Sequence, residues 1–307
     1  MSEVILATRR WMDKSGALLA AAVALVVAAG IAIFASGAAD ALAANGLRGW
    51  HPLALALIAT LANAAATGAG ALPVLVVRKV PVRTQNAMLG FSAGVMLAAS
   101  IFSLILPALD AGTGLTGSKL GGGSIVAAGI MLGGLLMLTM DRWIPHEHLV
   151  RGQVATSGRQ VSRVWLFVFA ITLHNLPEGL AVGVAFSVED PVRALPLAFG
   201  IGIQNIPEGL AVALALLTLN YSPARAGLVA LASGMVEPIG GLIGAGIITF
   251  AQPLLPLGLA FAAGAMLFVI SHEIIPETHH QKGHETVATV GILGGFIAMM
   301  LFDTVLR

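Results

Sequence analysis

Long apolar runs alternate along the chain with short polar intervals. Nine of these runs reach the roughly 20 residues that an α-helix needs to cross the hydrocarbon core of a bilayer. They lie near 16–37, 51–77, 85–109, 121–141, 163–187, 194–219, 224–250, 253–275 and 286–305. A segment in lipid must satisfy its own backbone, and runs of this length with few β-branched alternations read as helices. The pattern predicts an all-α integral membrane protein, a bundle of eight core transmembrane helices plus one extra N-terminal helix. Residues 1–45 form the N-terminal segment holding the extra helix, and residues 46–307 form the core. The first run could instead be a signal sequence, since basic residues precede it and Phe34-Ala35-Ser36-Gly37-Ala38-Ala39 follow it. Its apolar stretch exceeds the ~7–15 residues usual for a signal sequence, which favours a retained helix. The longest polar interval, 142–162, reads as a cytoplasmic loop containing Pro145-His146-Glu147-His148.

Composition narrows this reading. Charged residues make up 10% of the chain and hydrophobic ones 57%, and mean hydropathy is +0.92. A soluble domain carries about 25% charged residues, so this chain could not coat a soluble surface of its size. The net charge of +1 gives no basis for binding nucleic acid. The absence of cysteine excludes thiolate metal sites, thiol redox centres and disulfides. Lys and Arg set the orientation. With a cytoplasmic N-terminus, that side carries Arg9, Arg10, Lys14, Arg78, Lys79, Arg83, Arg142, Arg151, Arg159, Arg163, Arg225 and Lys282. The other side keeps only Arg48, Lys119, Arg193 and Arg307. The expectation is a multi-pass protein of the inner (plasma) membrane with its N-terminus inside and its C-terminus outside.

Two stretches inside the apolar runs match each other. His174-Asn175-Leu176-Pro177-Glu178-Gly179-Leu180-Ala181-Val182 recurs as Gln204-Asn205-Ile206-Pro207-Glu208-Gly209-Leu210-Ala211-Val212, with seven of nine positions identical. A carboxylate at the bilayer centre costs about 2.5–3.5 kcal/mol on insertion scales, so two such glutamates call for a function. His174 and Asn175 stand four and three residues before Glu178, close enough to share a helix face with it, and Gln204 and Asn205 repeat this before Glu208. Pro177 and Pro207 each remove a helical hydrogen bond, which predicts a kink and a freed carbonyl beside the polar residues. Glu237, followed by Pro238 in the seventh run, is a third intramembrane acid. One imidazole, several carboxylates and amide oxygens form the mixed N/O set that suits zinc and related divalent ions. Close carboxylates cannot all stay charged without a cation, so metal entry would displace protons.

These residues resemble those of the ZIP (Zrt-/Irt-like protein) transporters of zinc and other divalent metals. The likeness rests on His-Asn-x-Pro-Glu-Gly at 174–179 and its partner at 204–209, and extends over about residues 45–307. Compact length and short loops point to a bacterial member. The resemblance implies two adjacent metal positions, one from His174, Glu178, Gln204 and Glu208, the other from Asn175, Glu178, Asn205, Glu208 and Glu237. It also implies Met96 as a further ligand, although packing is the plainer reading of Met96 from sequence. Gln204 departs from members with His there, which leaves cadmium, iron and manganese open beside zinc. The implied mechanism is alternating access, with a block containing the motif helices moving against a scaffold. No permanent cofactor is implied; Zn2+, Cd2+ or a similar ion is the substrate.

Other polar residues extend the expected pathway. Ser103 and Asp110 could form an outer entrance. His272 and Glu273, with Glu277, His279, His280, His284 and Glu285, could form an exit relay on the cytoplasmic side. The His146-Glu147-His148 loop could buffer or sense metal, while His51 and Asp303 read as interfacial or packing residues. The partners expected are divalent metal ions and the lipid bilayer, and a homodimer is compatible with the sequence. There is no Walker-type phosphate loop, no His-Glu-x-x-His and no two Glu-x-x-His motifs to form a di-iron site, so the chain is not expected to be an enzyme. An intramembrane metallohydrolase ranks lowest, and a proton- or sodium-coupled exchanger would leave His174 and the amides without a role.

Overall fold

The computed structural model describes residues 46–77, 79–143, 157–188, 191–279 and 285–306. The first apolar run, His146-Glu147-His148, His280 and His284 lie outside them. Among the described residues there is no strand, and eight helical spans are long and apolar enough to cross a membrane. They are α1 (Pro52–Leu75), α2 (Val82–Thr116), α3 (Lys119–Arg142), α4 (Val164–Ala185), α5 (Pro191–Leu217), α6 (Pro223–Phe250), α7 (Gln252–His279) and α8 (Glu285–Val305). The eight expected core helices are therefore present.

Local chemistry explains where the spans start, stop and bend. His51 caps α1 by accepting a hydrogen bond from the Leu53 N–H at 3.3 Å, ahead of Pro52 in the first turn. The second span runs to Thr116, beyond the expected 109, because Gly112-Thr113-Gly114 stays helical. It stops at Gly117, which takes the left-handed φ of 65° and donates its N–H to the Thr113 carbonyl at 2.8 Å. Both α2 and α7 contain π-helical turns, Ala99–Ile105 and Ile270–Ile274. Such insertions re-aim the side chains that follow and tend to mark functional positions.

The prolines act differently from one helix to another. Both α4 and α5 remain helical through Pro177 and Pro207, since one missing hydrogen bond is tolerated by intact turns on either side. In α6 the helix ends at Gly234 and restarts at Glu237. There Pro238 cannot donate to the Gly234 carbonyl, and the glycine itself favours an interruption.

The spans pack as two groups of four, α1, α4, α5 and α6 on one side and α2, α3, α7 and α8 on the other. Within the first group α4 lies against α6 and α1 against α5. A Cβ on Gly179 would strike the Glu237 carbonyl, and one on Gly209 would strike the Thr67 carbonyl, so only glycine permits these approaches. The second group pairs α3 with α7 and α2 with α8 by the same device. The groups meet chiefly where α2 touches α5 and α4 touches α7. Side chains such as Met96, Leu197, Ile201 and Met266 fill the core there. Apolar faces left exposed, among them Met131 and Leu135 on α3 and Leu293 and Ile297 on α8, suit contact with lipid.

Candidate metal centre

The first helix group brings together the two matched stretches and the break in α6. His174, Asn175, Glu178, Gln204, Asn205, Glu208 and Glu237 are all buried. Gln204 donates through Nε2 to Glu178 Oε1 and to Asn205 Oδ1, each at 2.7 Å. Asn205 donates through Nδ2 to Glu237 Oε1 at 2.6 Å and to the Asn63 carbonyl at 3.2 Å. Asn175 donates to the Ser233 carbonyl at 2.8 Å, an acceptor beside the interruption of α6. Ser92 of α2 holds the Gln204 backbone carbonyl at 2.8 Å from across the group boundary.

Six oxygens in this cluster receive no hydrogen bond: Asn175 Oδ1, Glu178 Oε2, Gln204 Oε1, both oxygens of Glu208, and Glu237 Oε2. Buried polar atoms almost always have a partner, and leaving one without costs about 1–3 kcal/mol. These six acceptors outnumber the unpartnered nitrogens beside them, Asn63 Nδ2 and His174 Nε2, so the cluster is rich in acceptors and short of positive charge. Oxygen-rich surroundings of this kind are chemically matched to a hard or borderline divalent cation. Among the described residues no three His, Asp or Glu side chains form a ready metal group, because Gln204 and Asn205 stand between the carboxylates.

A cavity of about 190 Å³ leads to this cluster from the end of the bundle where α3 and α7 finish. Its walls include His174, Glu208, Asp141, His272, Glu273 and Glu277. His174 Nε2 lies 2.6 Å from Glu273 Oε1, an ion-pair distance with no ring N–H aimed along it. His272 stands half exposed with Nε2 3.4 Å from Asp141 Oδ2, its ring against Phe268. His279 turns elsewhere, its ring nitrogens contacting the Ile275 carbonyl at 2.9 Å and the Thr289 hydroxyl at 3.3 Å. At the opposite end a cavity of about 420 Å³ is lined by Ser103, Asp110, Arg193 and Asp303. The Ser103 hydroxyl donates to Asp303 Oδ1 at 2.8 Å.

Met96 is fully buried among apolar side chains, one turn from Ser92 on the α2 face that meets α5. Sequence reasoning missed Asp141, Asn63 and Ser92, and gave Asp303 no role. Asp141-Arg142 looks like an ordinary charged helix end. Asn63 could have been noticed, because Thr60, Asn63 and Thr67 form a polar stripe at helical spacing in an apolar run.

Comparison with known proteins gives the same picture. The family described as ZIP Zinc transporter matches residues 145–303. The zinc transporter ZIPB of Bordetella bronchiseptica is 49% identical over 251 residues, covering 82% of this chain and 81% of that protein. The zinc transporter GufA of Myxococcus xanthus is 45% identical over 247 residues, covering 80% and 97% respectively. The zinc transporter ZupT of Corynebacterium efficiens is 36% identical over 266 residues, covering 81% and 96%. With a duplicated intramembrane motif, eight spans and relatives aligned along most of their length, this chain belongs to the ZIP family.

Proposed function

We propose that this protein carries zinc and similar divalent ions, with cadmium, iron and manganese as further candidates, across the inner membrane toward the cytoplasm. The observation that carries this reading is the set of six buried oxygens without a donor at the junction of α4, α5 and α6. His174, Glu178, Gln204 and Glu208 form the first ion position, and Asn175, Glu178, Asn205, Glu208 and Glu237 form an adjoining second one. The positive-inside distribution supports a cytoplasmic position for the cavity of His272, Glu273 and Asp141. Those groups then receive the ion on release, while Ser103, Asp110 and Asp303 meet it on arrival.

The division into two helix groups supports alternating access. The proposed ligands sit on the group of α1, α4, α5 and α6, and the cavity acids Asp141 and Glu273 on the other. Movement of one group against the other would exchange the neighbours of Glu208 without disturbing the glycine-locked pairs inside each group. Protonation of Glu178 and Glu208 resets the site after release, because bound metal and bound protons compete for the same oxygens.

Reconstituted vesicles loaded with a zinc- or cadmium-sensitive dye test this reading. Uptake by the unaltered chain should fall as pH drops from about 7.5 to about 5.5, the range over which buried carboxylates are commonly tuned. Both His174→Ala and Glu208→Ala should abolish uptake while remaining folded. Equal uptake by all three proteins, or indifference to pH, would sink the proposal.

A further inference from the structure

We infer that Ser92 is a positioning residue for transport: its hydroxyl registers the two helix groups against each other in the state seen here and lets go when they move. The inference rests on the proposed alternating access and adds to it a contact that weights one of its states.

A serine or threonine inside a helix often bonds back to a carbonyl about one turn earlier on its own helix. Thr60, Thr172, Thr249 and Ser100 all do so, reaching the carbonyls of Ala56, Val168, Ala245 and Met96 at 2.7–2.8 Å. Ser92 does not. Its buried hydroxyl leaves α2 and donates to the Gln204 backbone carbonyl of α5 at 2.8 Å, so the bond crosses from one helix group to the other. The side chains around it hold no such register. Val95, Met96, Leu197 and Ile201 are buried and apolar, and apolar burial is non-directional. Gly200, one turn before Gln204, presents no side chain to interlock, and a Cβ there would meet Val95 of α2 and Met299 of α8. The bond also grips α5 at the depth of the ion cluster, since the Gln204 side chain is the donor to Glu178 Oε1.

The common own-helix bond supplies the other half of the device. When α5 shifts along α2, the Ser92 hydroxyl can turn to the carbonyl of Met88, one turn earlier on α2, as Ser100 does with Met96. The serine then keeps a partner in both states. It favours the present one by the difference between a bond across the boundary and a bond within α2.

The chain contains no cysteine, so cysteines replacing the exposed Leu228 of α6 and Met131 of α3 place one spin label on each helix group. Pulsed electron–electron double resonance on the full-length chain in lipid nanodiscs then counts the states. Two inter-label distances are expected, one of them matching this structure. Ser92→Ala should shift the ratio of the two populations at least about threefold away from the matching one, the worth of one ordinary hydrogen bond. Ser100→Ala removes an equally buried hydroxyl bonded within α2 and should leave the ratio unchanged. A ratio unmoved by Ser92→Ala, or moved as far by Ser100→Ala, would overturn the role of Ser92. A single distance in every chain, with or without zinc, would instead overturn the movement of the two groups on which that role depends.

Discussion

In α4, Glu178 shares one oxygen with the Gln204 amide, and the histidine one turn earlier lies against Glu273 on the opposite helix group. In α5, Glu208 occupies the matching place in a nearly identical stretch, yet both its oxygens lack a donor and it lines the cavity. Seven of nine residues agree between the two stretches, so the motif itself cannot cause the difference. Of the two unmatched positions, Leu176/Ile206 stays apolar, so the His174/Gln204 pair causes it. His174 reaches out of its group toward α7, while Gln204 reaches inward and satisfies the carboxylate of the other copy. The duplication supplies two equivalent acids, and the one polar difference, His174 against Gln204, makes one a partly satisfied anchor and the other a receiver.

That contrast can be broken experimentally. The largest effect should come from Glu208→Gln, which removes the acid that nothing else compensates. Its loss should lower zinc affinity by at least about 100-fold, beyond the 10–100-fold typical of losing an outer-shell partner. Competition against a calibrated zinc chelator would measure this. Next comes Glu273→Gln, which removes the carboxylate facing His174. An outer-shell partner of an imidazole ligand is worth about tenfold in affinity, and the variant should fold normally. The smallest effect should come from Gln204→Ala. It deletes an amide oxygen but also frees Glu178 from a donor, and the two changes offset each other to within about threefold, given hydrogen bonds of ordinary strength. A loss above about tenfold would make Gln204 a principal ligand and shrink the contrast between the copies.

The sequence made some of this legible and hid the rest for physical reasons. Eight spans and the buried acids could be read because a bilayer imposes a length on apolar runs and a high cost on charge. The helix interruption at Glu237 was visible as Glu-Pro beside paired glycines. Pro177 and Pro207 do not end their helices as Pro238 does, and a local rule cannot show which prolines the neighbouring turns absorb. Asn63, Ser92 and Asp141 stayed hidden for another reason: each matters through a residue at least 100 positions away in the chain or on another helix. The π turns of α2 and α7 left no recognisable mark in composition. Nor could sequence tell which way Asn205 points, and that orientation decides whether it acts as a ligand or as a brace.

The most direct test of the asymmetric oxygen-rich site is zinc K-edge X-ray absorption on the purified chain loaded with one zinc ion. The expected spectrum shows a single imidazole with the remaining ligands oxygen, at the ~2.0–2.2 Å typical of zinc bonds to nitrogen and oxygen. The imidazole signature should vanish in His174→Ala. Two or more imidazoles that persist in that variant would contradict it, placing the tight ion among the other histidines and away from Glu178 and Glu208.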